Sequence, residues 1–333
     1  MPWWYTKPAI IAWLLMPISA VFRLLVAVRR LAYRRGWLRV QRLPVPVIVI
    51  GNLTVGGTGK TPLTIALVQL LRARGYHPGV VTRGYGGQRH AAPCEVSAAA
   101  DPYQVGDEPV LLARHCPVVV DVRRPRGARH LMALGCDVIL ADDGLQHYAL
   151  GRDIEVLVVD GERRFGNGCC LPAGPLREPP ARMQTVDFIV ANGQGLPGEY
   201  TMQLHTPRVV AVYDPQQAQP LAAWRGQSVH AVAGIGHPER FFRRLRAAGL
   251  QVTAHAFPDH HHFRRSDLQF PDTQSILMTE KDAVKCRSFA TGRYWMVPVE
   301  VELPDALVTA LAARLSQIVQ LLPQREAYGQ EIT

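Results

Sequence analysis

Residues 47–62 read VIVIGNLTVGGTGKTP, and this stretch decides the fold. An apolar, β-branched run ends at Gly51, a glycine-rich turn follows, and Pro62 stands where a first helical turn can accept it. Positions 54–61 follow the phosphate-loop pattern G-x-x-x-x-G-K-[ST], except that Thr54 replaces the first glycine. The expected nucleotide-binding segment is therefore Thr54, Val55, Gly56, Gly57, Thr58, Gly59, Lys60 and Thr61. Its glycines let successive backbone N–H groups turn toward phosphate oxygens. Lys60 reaches the β- and γ-phosphates, and the Thr61 hydroxyl is placed to hold Mg²⁺.

Outward from this loop, continuous apolar strands alternate with helical stretches. Strands are expected at 79–82, 118–120, 138–141, 154–159 and 188–190, with helices at 62–74, 108–115 and 125–134. That order predicts an α/β fold of the P-loop NTPase type, a parallel sheet with helices on both faces. After about residue 205 a second, smaller α/β unit follows. Its strands are expected at 228–233, 252–257, 275–278 and 294–301, and its helices at 238–248 and 306–322. The expected division is 1–42 as an apolar and basic helical segment, 43–205 as the P-loop core and 206–333 as a smaller unit closing the cleft.

Charge is unevenly spread over the 333 residues. Of 37 Lys and Arg, 13 lie in the first 94 positions, where no Asp or Glu occurs; the remainder carries 24 basic against 27 acidic groups. The run AIIAWLLMPISAVF (9–22) follows Trp3, Trp4 and Tyr5, and seven Arg come between positions 23 and 42. The uncharged stretch is 15 residues, short of the roughly 20 needed to span a bilayer, and Pro17 interrupts it. An aromatic start, an apolar body and an Arg-rich continuation describe a helix lying on an anionic membrane surface. A core helix and a single-pass anchor stay open as alternatives. The basic residues accompany no groove-reading motif or stacking platform, so nucleic acid is not the expected partner. The six Cys show neither CxxC nor zinc-like spacing and read as reduced thiols.

A phosphate loop needs an acid at the end of a neighbouring strand, and VILADD (138–143) supplies Asp142 and Asp143 to hold or orient the metal. Asp107 in GDEP (106–109) reads by itself as a helix N-cap. FPDHHHF (257–263) suits an Asp–His proton acceptor better than a metal site, because adjacent His cannot all point at one ion. TEKD (279–282) lacks the spacing of a guanine-reading N-K-x-D.

Taken together, GNLTVGGTGKTP (51–62), TRGYGG (82–87), GDEP (106–109), DDGLQH (142–147), LPAGPLREP (171–179), FPDHHHF (257–263) and TEKDAVK (279–285) resemble the tetraacyldisaccharide 4'-kinase, or lipid A 4'-kinase, family. The resemblance implies transfer of the ATP γ-phosphate to the 4'-hydroxyl of a tetraacylated glucosamine disaccharide 1-phosphate, a lipid A precursor. It places the enzyme, peripheral or monotopic, on the cytoplasmic face of a bacterial inner membrane. It implies Lys60 and Thr61 as phosphate and Mg²⁺ contacts, Asp142 and Asp143 at the metal, and Asp107 as the base. A His after Asp259 would assist that base, either His260 or His261. Glu108 would help at the metal or the base. Gln146 and His147 would stand beside the acids, Arg177 and Glu178 would meet phosphate and metal, and Arg83 would meet a substrate phosphate. The rival expectation is a P-loop NTPase acting as a conformational switch or metallochaperone.

Overall fold

The structure is a computed structural model that describes residues 3–5 and 10–329. Of the N-terminal segment, Lys7, Pro8 and Ala9 lie outside the described residues. Helix α1 (Ile10–Arg34) leads into β1 (Val47–Gly51), α2 (Lys60–Ala73), β2 (Pro78–Thr82) and β3 (Cys94–Val96). Then come α3 (Pro102–Val105), α4 (Asp107–Leu112), β4 (Val118–Val120), α5 (Arg124–Ala133), β5 (Val138–Asp142) and β6 (Ile154–Asp160). Strands β7 (Phe188–Asn192) and β8 (Tyr200–His205) complete the first run. The second run is β9 (Arg208–Ala211), β10 (Ala218–Pro220), β11 (Ser228–Ala233), α6 (Pro238–Ala247), β12 (Gln251–Ala256) and β13 (Ser275–Thr279). It continues through α7 (Glu280–Cys286), β14 (Tyr294–Val297), β15 (Glu300–Glu302) and α8 (Asp305–Gly329).

The first sheet has the order β15-β8-β7-β6-β1-β5-β2-β4-β3. Strands β8 through β4 in that order pair in parallel, while β3 and β15 close the two edges antiparallel. Because strand side chains alternate, Ile48 and Ile50 point into a core with Leu63, Leu67 and Leu71 of α2. Val47 and Val49 join Ile139, Leu131 and Leu145 on the other face. Both faces are thus covered, which is why these strands are apolar without a break. The register sets Ile50 opposite Asp142, so the turn after β1 and the acids after β5 leave the sheet side by side. This is the crevice at the carboxyl ends of parallel strands where α/β proteins bind ligands.

The second sheet has the order β10-β9-β14-β13-β11-β12, with β14 through β12 parallel. Its core holds Phe242 and Leu245 of α6 on one side and Phe263 and Met278 on the other.

The end of the chain departs from the expected division. Residues 294–301 are two strands: β14 lies in the second sheet, and β15 crosses back to pair with β8. Pro298, which has no N–H to donate, follows the last residue of β14. Helix α8 then lays Leu307, Leu311, Leu315 and Ile318 against the first core. That spacing is one face of a helix. The first sheet's unit therefore takes back the C-terminal part of the 206–333 segment, β15 and α8, while β9 through β14 form the second sheet.

Helix α1 barely touches the body. Ala12 and Ser19 are buried, the Ser19 hydroxyl donates to the Cys170 carbonyl at 2.8 Å, and Phe22 packs on the core beneath. Ile10, Trp13, Leu14, Ile18, Val21, Leu24, Leu25 and Val28 are exposed. By length and composition alone, α1 and the first 18 residues of α8 are apolar enough to cross a membrane.

Candidate active site

The phosphate loop is held open from below and from the side. The Asn52 amide donates to the Gly56 carbonyl and to the Thr58 hydroxyl, both at 3.3 Å. Asn192 donates to the Thr58 carbonyl at 3.0 Å, and Val55 N–H reaches the Pro175 carbonyl at 2.9 Å. Gly59 caps α2 at φ 98°, a left-handed conformation, and a Cβ there would stand 2.5 Å from Asn192 Nδ2. No side chain caps α2, so its first N–H groups face the loop, the arrangement that receives phosphate.

Lys60, the first residue of α2, places its Nζ 3.3 Å from Asp143 Oδ1. The Arg177 guanidinium holds both oxygens of the same carboxylate at 2.9 Å. Burial raises the Asp143 pKa, but the charges of Lys60 and Arg177 outweigh it and hold the group well below the usual carboxylate range. Asp142 differs. It is 1% exposed, accepts the Thr64 hydroxyl at 3.1 Å on one oxygen, and leaves Oδ2 buried without a partner. Burial, with the nearby charge of Glu108, pushes it up to about 7.

Next to Glu108, whose charge acts on Asp142, is Asp107, the first residue of α4 rather than its cap; Gly106 occupies the cap position at φ 95°. A Cβ at Gly106 would meet the Tyr85 carbonyl at 2.8 Å, so the tight turn requires glycine. Asp107 is 4% exposed, and its Oδ2 lies 3.1 Å from His260 Nδ1 of the second unit. Burial raises its pKa, but the His260 hydrogen bond and the Lys281, His260 and Lys285 charges overcome that and set it below the ordinary value. An ionised Asp107 accepts, so Nδ1 of His260 carries the proton. His260 holds φ 59° and packs edge-on to Tyr85 at 4.9 Å.

Of the two histidines left open, His260 is the one placed against Asp107. His261 Nε2 pairs with Asp267 at 3.0 Å, within its own unit. Asp259 lies 3.5 Å from Lys281 Nζ.

Two lysines that the sequence reading passed over join this cluster. Lys281 Nζ is 3.3 Å from Glu108, 3.4 Å from His260 Nε2 and 4.0 Å from Asp107. Lys285, buried, bridges Asp282 at 2.9 Å and Asp107 at 3.5 Å. Both lie on α7 at i and i+4, one helical face, and that spacing within TEKDAVK was the available signal.

Gln146 donates to the Asn52 carbonyl at 3.2 Å and so supports the loop. Burial, with Arg124, Arg152, Arg29 and Arg83 nearby, lowers His147 to about 4, so its ring is neutral. Arg83 is exposed in the turn after β2 and acts electrostatically on both His147 and the buried Arg124. Glu178 is a correction. Its carboxylate is buried, accepts the Tyr148 hydroxyl and lies 3.3 Å from Arg182 Nε, so it belongs to an internal polar cluster instead of facing phosphate or metal.

A phosphate-binding loop whose own unit carries an acid paired with a histidine from the second unit defines a P-loop phosphotransferase with an alcohol acceptor. Residues 11–316 match the family described as tetraacyldisaccharide-1-P 4'-kinase, and the chain belongs to that family. A Nitrosococcus oceani relative named tetraacyldisaccharide 4'-kinase is 52% identical over 318 residues, covering 95% of this chain and 93% of its own. A Methylobacillus flagellatus relative of the same name is 49% identical, covering 92% and 93%. Among solved structures, the "apo" form of LpxK from Aquifex aeolicus in complex with ATP superimposes with a TM-score of 0.77 at 27% identity. The match covers 92% of this chain and all of that one. Family membership sets aside the switch or metallochaperone alternative.

Proposed function

We propose that this kinase transfers the γ-phosphate of ATP to the 4'-hydroxyl of a tetraacylated glucosamine disaccharide 1-phosphate, giving the 4'-phosphorylated lipid A precursor, lipid IVA. The observation that carries the reading is the Asp107–His260 pair, whose neighbour Glu108 acts electrostatically on Asp142, together with the Lys60–Asp143 pair of the phosphate loop. The Gly56–Thr61 backbone and Lys60 bind the triphosphate. Asp107 accepts the proton of the 4'-hydroxyl as its oxygen attacks the γ-phosphorus and ADP leaves. His260 donates through Nδ1 to the Asp107 carboxylate and fixes its direction. Lys60 neutralises charge on the transferring group, so catalysis is positioning and electrostatics.

Mg²⁺ fits the residues present. The buried, unpartnered Oδ2 of Asp142 and its unfavourable proximity to Glu108 are the environment a divalent cation relieves. Asp142, Glu108 and the Thr61 hydroxyl would hold it, with Asp143 orienting. When bound, it supplies Lewis-acid stabilisation of phosphate charge. Arg83, exposed after β2, and Arg177, at Asp143, add positive charge that favours a phosphorylated acceptor.

A tetraacylated acceptor stays in the bilayer, so the enzyme works at the cytoplasmic face of the inner membrane. The exposed apolar face of α1 and its arginines support peripheral or monotopic attachment there. The test is incubation with γ-labelled ATP, Mg²⁺ and the disaccharide 1-phosphate in mixed micelles. Label is expected in the lipid; label only in free phosphate refutes the kinase reading.

A further inference from the structure

Past the catalytic cleft, where α1 ends, a cavity of about 240 Å³ opens between the helix and the segment joining β5 to β6. Five arginines line it, Arg30, Arg34, Arg42, Arg152 and Arg182, against one carboxylate, Glu155. Glu155 is already paired, its Oε1 shared by Arg152 at 3.0 Å and Arg182 at 2.5 Å. Arg152 also donates to the Leu145 and His147 carbonyls, and Arg30 donates to Thr185 at 3.2 Å. Arg34 and Arg42 have neither a hydrogen bond nor an ion pair from their side chains among the described residues, and the stem of Arg42 lies over Gly151. Two uncommitted guanidiniums thus face a concave site that already carries excess positive charge. Guanidinium is the group that grips phosphate oxygens in a planar, bidentate fashion.

The chain around the opening is apolar and exposed. Leu31 on α1 is followed by Trp37, 71% exposed, and by Leu38 and Val40, with Val40 itself on the cavity wall. A free anion has no use for such a rim. A phospholipid has: its phosphate enters the arginines while glycerol and acyl carbons lie along Trp37 and Leu38, continuous with the exposed face of α1.

We propose that this cavity is a headgroup site for an anionic membrane phospholipid, distinct from the acceptor site, with Arg34 and Arg42 as its phosphate ligands. The inference rests on the reading that the enzyme works at a membrane surface, and it fixes where on the protein a resident lipid seats.

The test uses the full chain and vesicles of phosphatidylcholine with and without phosphatidylglycerol, read by co-sedimentation. The double substitution Arg34→Gln with Arg42→Gln is compared with Arg35→Gln with Arg39→Gln, an equal charge loss on exposed neighbours outside the cavity. The first pair is expected to lower phosphatidylglycerol-dependent binding about tenfold or more, and the second by less than about threefold. Equal losses would reduce the effect to surface charge and overturn the site. Kinase activity on micellar acceptor is measured in parallel, and KM is expected to stay at the wild-type value. A raised KM in the Arg34/Arg42 variant would assign the cavity to the substrate phosphate and also overturn the proposal. Failure of the kinase reading shows separately, as absence of lipid labelling by the unsubstituted protein.

Discussion

His260 Nδ1 stands 3.1 Å from Asp107 Oδ2, although 153 residues separate them and they belong to different sheets. The pair exists only because α7 and the loop after β12 are pressed against α4. Tyr103 stacks on His262 at 4.3 Å, Lys281 binds Glu108, and Arg240 holds Asn192 at 2.9 Å, so three contacts around the cleft fix the same juxtaposition.

Asp107→Asn is therefore expected to lower kcat by about 10²- to 10⁴-fold, the usual worth of a positioned proton acceptor. Binding of ATP should change little, because Asp107 does not touch the phosphate loop. Calorimetric titration with ATP alongside steady-state kinetics checks this. A loss of ATP affinity as large as the loss of rate would make Asp107 a nucleotide ligand instead. His260→Ala should lower kcat less, since the acceptor carboxylate remains.

Lys285 supports the same carboxylate from beneath. Its ammonium is nearly solvent-free between Asp282 and Asp107, and Asp282 in turn accepts Gly234 N–H at 2.9 Å and the Thr279 hydroxyl at 2.6 Å. Lys285→Met leaves the buried Asp282 without its cation, while Asp107 keeps His260 and Lys281, a loss of about 3 kcal/mol by the usual cost of breaking such a pair. Urea unfolding measures it. A change under 1 kcal/mol would mean that water or Lys281 neutralises the acids.

What could be read from residues alone was whatever depends on neighbours in sequence. VIVIG followed by GGTGKTP is strand, loop and helix by local chemistry, and VILADD is a buried strand delivering two acids. The Asp107–His260 relation came through family motifs, because no local rule links positions so far apart. The end of the chain was misread for a physical reason: residues 294–301 are apolar except for Glu300, and the pattern cannot show that Pro298 sends its two halves to different sheets. Glu178 was misread because LREP shows a charged pair in a proline-rich loop. Nothing local signals that Tyr148 and Arg182 enclose one member while Arg177 turns to Asp143.

Asp142 makes the nucleotide-free enzyme sensitive to pH. Its folded pKa of about 7 lies above the ordinary 3.8, with burial the main cause. Its protonated form thus supports the fold; that contribution is complete below about pH 4 and is lost as pH rises through about 7. Asp142→Asn, neutral throughout, should be the more stable protein at pH 8 without nucleotide or Mg²⁺, by on the order of 2 to 4 kcal/mol. The advantage should shrink toward pH 4. ATP with Mg²⁺ should then stabilise the unsubstituted enzyme and leave the variant nearly unmoved. Thermal melts across pH 4–8 test both halves, and a pH-independent difference would remove Asp142 as the titrating group.

Leu24 and Leu25 on α1 are 62% and 63% exposed, so neither is spent on the core. The nearby contacts that hold the helix, Ser19 to Cys170 and Phe22 on the core, lie elsewhere on its surface. Replacing both leucines by Glu should leave the melting temperature within about 2 °C, since exposed substitutions rarely exceed about 0.5 kcal/mol. Binding to phosphatidylcholine–phosphatidylglycerol vesicles should fall by more than tenfold, because each leucine gives up about 1.5–3 kcal/mol of apolar burial and each carboxylate is repelled by the anionic surface. Activity on a short-chain, detergent-dispersed acceptor should persist. Unchanged vesicle binding with an intact fold would move the membrane contact from α1 to another surface, with the exposed Trp37 loop the next to be substituted.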